Sequence, residues 1–201
     1  DEDKYPEQEL ENLIIDNPNI IPVQSFSSDS SQFIPLAKQI DLSHHGRLDI
    51  LGVDNVGNIY IIECKITTIN ADKKSIRGQI TDYTSGLWSK KDDWEFFNKS
   101  IRKTNSSPTT DIQNRSFANM ELEQIITEKF PEEHEKILEN IKDNFKKGKY
   151  FLIFAVDKIT IGMRETIDFH NQAIDGNEKY PMFGIEIKKY SIEEWNLKEV
   201  L

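Results

Sequence analysis

Apolar residues along the chain recur with two rhythms, a helical period near 3.6 and a strand period of 2, and their order outlines an α/β protein. Residues 6–16, PEQELENLIID, place Leu10, Leu13 and Ile14 on one helical face, and Asn17-Pro18 stops the helix. Residues 20–23 and 33–37 each read as a short strand beside a proline, with the polar loop SFSSDSSQ between them. Residues 47–53 and 58–66 are rich in β-branched and aromatic side chains, and DNVGN between them has the length and glycine of a hairpin loop. Residues 71–87 predict a helix with the stripe Ile76, Ile80, Tyr83 and Leu87. Residues 88–97 mix aromatics with charge, and 104–116 form a polar loop. Helices follow over 118–127 and 131–147, the latter closed by Gly148. The run YFLIFAV at 150–156 is the mark of a strand covered on both faces, followed by a helix at 160–173 and an alternating strand at 183–190. The elements predict one domain over 1–201 with a mixed central β-sheet flanked by helices. It carries a helical and loop insertion at about 88–148 and a β-α-β extension at 150–190.

The hairpin has geometric content. If Val53 pairs with Ile59, Asp49 lies directly opposite Glu63, Lys65 emerges on the same face as Glu63, and Cys64 points to the other. Two carboxylates with Cβ atoms about 5 Å apart repel unless a divalent cation, Lys65 or solvent compensates. Leu51 and Ile61 on that face argue against full exposure. On the first helix, spacing at 100° per residue puts Glu7 nearer the apolar stripe than Glu9 or Glu11. Glu7 can then point into a cleft, or simply complement the helix dipole, and Glu11 is its nearest competitor. Gln79 and Tyr83, four apart, are neighbours on one helix surface.

Composition narrows the classes. One cysteine among 201 residues excludes an internal disulfide framework and a Cys-rich zinc site. No apolar run has the length of a membrane span, and no signal segment opens the sequence, so the expected setting is cytoplasmic. A net charge of −10 counts against nonspecific coating of nucleic acid. It counts less against an enzyme that recruits cations to a carboxylate site. Lys73, Lys74 and Arg77 read as a basic half of their helix, and aromatics near Lys90 and Lys91 either stack on bases or are buried. His44 and His45 read as bystanders in a turn, His134 and His170 as surface or packing residues, and Cys64 as a small buried hydrophobe.

Taken in order, Glu7, Asp49, Glu63-Cys64-Lys65 and Gln79-x-x-x-Tyr83 resemble the motif set of the PD-(D/E)xK nuclease superfamily, which has a restriction-endonuclease-like core. The Gln-x-x-x-Tyr spacing is similar to its RecB-like branch, and ELENLIIDNPNIIP followed by GRLDILGVD is similar to prokaryotic endonuclease domains of the NucS type. The motif-bearing part spans residues 5–87. Two departures are Leu48 in place of a proline before Asp49 and a cysteine in the middle of Glu-x-Lys. The resemblance implies a metal-dependent endonuclease acting on DNA. Asp49, Glu63, the Cys64 backbone carbonyl and Glu7 would hold Mg²⁺ or Mn²⁺. Lys65 would position water or stabilise phosphorane charge, and Gln79 would orient Lys65 or the phosphate. Arg77 and Tyr83 would contact substrate, and the product would be a 5′-phosphate. The acidic net charge leaves open whether a homodimer or a basic partner protein supplies DNA affinity. The rival reading is a noncatalytic nucleic-acid-binding or scaffold domain of the same fold.

Overall fold

Five strands form a single mixed sheet whose order across the sheet, β1-β2-β3-β4-β5, is their order along the chain. The computed structural model describes residues 5–66, 73–105, 117, 119–174 and 180–188, with backbone alone at 5–6, 73–77 and 103–105. Strands β1 (Phe33–Asp41), β2 (Arg47–Asp54) and β3 (Ile59–Lys65) make an antiparallel meander. Then β4 (Tyr150–Val156) joins β3 in parallel and β5 (Met182–Glu186) joins β4 in parallel. The central position of β3 and β4 follows from their sequences, since IYII and YFLIFAV offer no polar side for water.

Seven α-helices among the described residues cover the two faces. On one face, Leu10, Ile14 and Ile15 of α1 (Tyr5–Asp16) and Val23 of α2 (Val23–Phe26) pack on Ile50, Tyr60, Ile62 and Cys64. The other face is covered by α3 (Lys73–Trp88), α4 (Trp94–Asn105), α5 (Leu122–Lys129) and α6 (His134–Lys147), with Met163 of α7 (Ile161–Ala173). Each fully buried Ile, Leu or Phe in these layers contributes about 1.5–3 kcal/mol relative to exposure. The connection from β3 to β4 runs through α3–α6, and α7 makes the crossover from β4 to β5. Among the described residues no helix is long and apolar enough to cross a membrane.

Several expected elements differ in detail. Residues 20–23 are not a strand: Pro18–Ile20 is a 3₁₀ turn, and α2 begins at Val23. Pro18 opens the turn and Pro22 precedes α2, so the apolar residues plug the sheet face as helical turns. The strand expected at 33–37 continues to Asp41, on the sheet edge, where a bulge between Pro35 and Ala37 absorbs the proline. Helix α5 starts at Leu122 because Glu121 and Gln124 form a reciprocal capping box, and α6 starts at His134. Strand β5 ends at Glu186. Residues 71–72, 106–116, 118 and 189–190 of the expected elements lie outside the described residues.

What fixes the register of β2 against β3 is the turn between them. Asp54 is fully buried, and its Oδ1 accepts from the Val56 and Asn58 amides at 3.0 and 2.9 Å. Its Oδ2 accepts from the Asn58 side chain and the Tyr60 hydroxyl, both at 2.8 Å, and from Ser30 Oγ. Gly57 has φ +89°, and a Cβ there would lie 2.6 Å from Asn140 Cβ and 2.8 Å from the Ile137 carbonyl, so no other residue fits. A turn locked in this way permits one register, with Val53 opposite Ile59.

Candidate active site

From Val53↔Ile59 the β2–β3 pairing runs to Ile50↔Ile62, and the next pair in sequence is Asp49 with Glu63. Here the Asp49 side chain replaces the backbone partner. Its Oδ2 accepts the Cys64 amide at 2.8 Å, and the two carboxyl groups are close enough for each to perturb the other's hold on its proton. The arrangement expected from alternation is therefore present. Lys65 stands two residues beyond Glu63, and Cys64 is buried in the opposite layer under α1.

Glu63 is 1% exposed, and among the described residues its Oε2 has no hydrogen-bond partner. Burial, and then the charge of Asp49, push the Glu63 carboxyl well above the usual range. Burial and then the charge of Glu11 raise Asp49 less, and the Cys64 amide opposes that rise. Because folded Glu63 holds its proton more tightly than unfolded glutamate does, this pair stabilises the fold below pH about 4.5 and loses that contribution as pH rises toward the raised value. Without divalent cation, the melting temperature is expected to fall between pH 6 and 9, with a slope of up to about 1.4 kcal/mol per pH unit per proton. Mg²⁺ should recover more of the loss at pH 9 than at pH 6, and Glu63→Gln should flatten the slope. Scanning calorimetry across this range checks it, and an unchanged slope in Glu63→Gln would refute the assignment.

Both candidate acids of α1 are at the site, in different roles. Glu7 is half-buried and pairs with Lys65 Nζ at 3.3 Å, with the Ile66 amide 3.4 Å from its Oε1. Glu11 lies deeper, 6% exposed, against the expectation from helical spacing. Its Oε2 is 3.1 Å from Lys38 Nζ, an ion pair although not a well-aimed hydrogen bond, and its Oε1 accepts from Gln39 Nε2 at 2.8 Å. The same Gln39 nitrogen reaches Asp49 Oδ1 at 3.1 Å. The sequence reading missed Lys38 and Gln39; a lysine directly after the apolar run 33–37 was the one available signal.

On the other side, Tyr83 is buried, and burial followed by the charge of Glu63 raises its hydroxyl pKa. Gln79 opposes that rise, so the Gln-x-x-x-Tyr neighbours expected from spacing lie together beside the carboxyl pair. The Arg77 side chain lies outside the described residues, as do those of Lys73 and Lys74. His45 sits against Gly86 and 3.4 Å from Ser85 Oγ, and His170 faces the Tyr180 carbonyl, both packing contacts. His134 meets the Pro131 carbonyl at the start of α6. Of the aromatics, Trp94 stacks on Phe97 at 5.4 Å within the core, while Trp88 is 51% exposed with Lys91 Nζ 4.0 Å above its ring.

Among the described residues no three His, Cys, Asp or Glu side chains converge to enclose an ion. Two facing carboxyl groups with one buried, unpartnered oxygen nevertheless match the donor chemistry of a hard cation. Mg²⁺ in particular uses one or two carboxylates and leaves its other positions to water and phosphate. The fold and site thus define an α/β protein with a carboxylate pair and a lysine at one end of its central strand. No family model, curated protein or solved structure matches the chain.

Proposed function

We propose that this protein is a metal-dependent endonuclease with a restriction-endonuclease-like core, hydrolysing phosphodiester bonds in DNA in restriction, repair or defence. The observation that carries the reading is half-buried Asp49 set against fully buried Glu63 beside Lys65, because like charges held together with little water need a cation or a proton. Asp49, Glu63 and the Cys64 carbonyl would hold Mg²⁺ or Mn²⁺, with Glu7 adding a ligand directly or through water. The bound ion supplies Lewis acidity toward phosphate oxygen and a water acidified for attack.

The chain's own groups do the rest. Lys65, oriented by Glu7, presents its ammonium to the attacking water and to the non-bridging oxygen on which charge builds. Tyr83 and Gln79 close the side of the carboxyl pair facing α3 and orient Lys65 or the phosphate. Water attacks phosphorus, the bond to the 3′ oxygen breaks, and the products are a 3′-hydroxyl and a 5′-phosphate. The net charge of −10 gives DNA affinity little general support, so binding falls to the ion, to local basic residues or to a basic partner protein.

The test is to incubate the protein with duplex, branched, mismatched and single-stranded DNA in Mg²⁺, in Mn²⁺ and in EDTA. Cleavage confined to the metal lanes, with 5′-phosphate ends, is the expected result. Binding without cleavage of any substrate would move the protein to the noncatalytic reading, a nucleic-acid-binding or scaffold domain.

A further inference from the structure

Gln39 occupies the interior of β1 with φ +58°, in the left-handed region that a glutamine rarely adopts. Lys38 and Ile40 on either side pair regularly with Ile50 and Leu48, so the distortion is confined to the residue opposite Asp49. In a regular strand the side chains of residues 38 and 39 would point to opposite faces. Here both reach Glu11: Lys38 Nζ at 3.1 Å from one oxygen and Gln39 Nε2 at 2.8 Å from the other. The two hydrogens of the Gln39 amide nitrogen are then divided between Glu11 Oε1 and Asp49 Oδ1, the latter at 3.1 Å. Two carboxylate oxygens around one position also settle which end of the amide is nitrogen.

From this we infer that Gln39 is a positioning residue for the cation site, acting through Asp49; the inference rests on the nuclease reading above. With Gln39 on Oδ1 and the Cys64 amide on Oδ2, Asp49 is clamped at both oxygens, each of which keeps a lone pair for an ion. Glu63 is left with a buried, unpartnered Oε2 among the described residues, so the site has one fixed carboxylate and one awaiting its partner. A neutral amide suits this place. A lysine would neutralise Asp49 and weaken cation binding, a carboxylate would add repulsion, and the charge that Glu11 needs already comes from Lys38. The strained backbone is what delivers the amide to both carboxylates at once.

Strain and function can be separated by two substitutions. Gln39→Gly removes the amide and relieves the left-handed φ, whereas Gln39→Ala removes the amide and keeps the strain. Mn²⁺ affinity of each variant is measured by the electron paramagnetic resonance of free Mn²⁺, alongside the melting temperature and the kcat and KM for DNA cleavage. Both variants should bind Mn²⁺ roughly tenfold or more weakly and lose kcat with KM for DNA unchanged. Their melting temperatures should diverge, with Gly above Ala because only Gly relieves the left-handed backbone. A Gly variant with wild-type Mn²⁺ affinity and kcat would overturn the inference and leave the nuclease reading intact. A wild-type protein that neither binds Mn²⁺ nor cuts DNA would remove both.

Discussion

Asp49→Asn is expected to lower metal-dependent DNA cleavage by roughly three orders of magnitude, the effect of losing several kcal/mol of transition-state stabilisation. The same change should hold or raise thermal stability. Asparagine keeps the shape of the side chain and can still accept the Cys64 amide through its oxygen; its NH2 then faces the Gln39 amide nitrogen, a loss offset by removal of the charge facing Glu63 and Glu11. Loss of activity with retained stability marks a residue whose strain serves chemistry rather than folding. Lys65→Ala should reduce kcat comparably, and since Lys65 and Glu7 remain partly exposed, their pairing adds little to stability. Steady-state kinetics and calorimetry on purified variants decide the matter, and an Asp49→Asn protein that cuts at the wild-type rate would sink the site assignment.

Lys38→Ala has the second large expected effect, this time on the fold. The Lys38–Glu11 pair has side chains only 4% and 7% exposed, and Lys38 Nζ also donates to Asn12 Oδ1 at 2.6 Å. Removing one partner of such a pair strands the other charge out of water, at a cost of about 3–5 kcal/mol. For a chain of this size that lowers the melting temperature by roughly 6–20 °C. Glu11→Ala should be similarly damaging, whereas the double replacement Lys38→Met with Glu11→Leu should recover most of the loss, because neither charge is then buried alone. The exposed pair Lys147–Asp143 supplies the contrast: breaking it should cost less than about 1 kcal/mol. Equal melting temperatures for Lys38→Ala and Lys147→Ala would contradict this account.

The two predictions separate what local sequence could reveal from what it could not. The Asp49–Glu63 juxtaposition was legible because a hairpin loop and period-2 alternation together imply a register, and the buried Asp54 enforces that register. The exposed or buried character of α1 was less so. Leu10, Leu13 and Ile14 suggest one helical face, but the buried face also includes Ile15 and Leu13 is only half-buried, which rotates the packed surface toward Glu11. A carboxylate is buried there because Lys38 and Gln39, far along the chain, receive it, and no pattern within α1 encodes that. The left-handed Gln39 was equally silent, since such backbone is ordinarily announced by glycine or asparagine. At residues 20–23 the β-branched composition suggested a strand, and the flanking prolines proved the stronger influence.

Cys64 ties these layers together in one residue. Its amide is committed to Asp49, while its thiol, 1% exposed, lies beneath the helix that carries Glu7 and Glu11. As the single cysteine of the chain, it is a built-in reporter. A thiol reagent can reach it only when that helix lifts from the sheet, so the labelling rate counts the openings that take the α1 carboxylates away from the site.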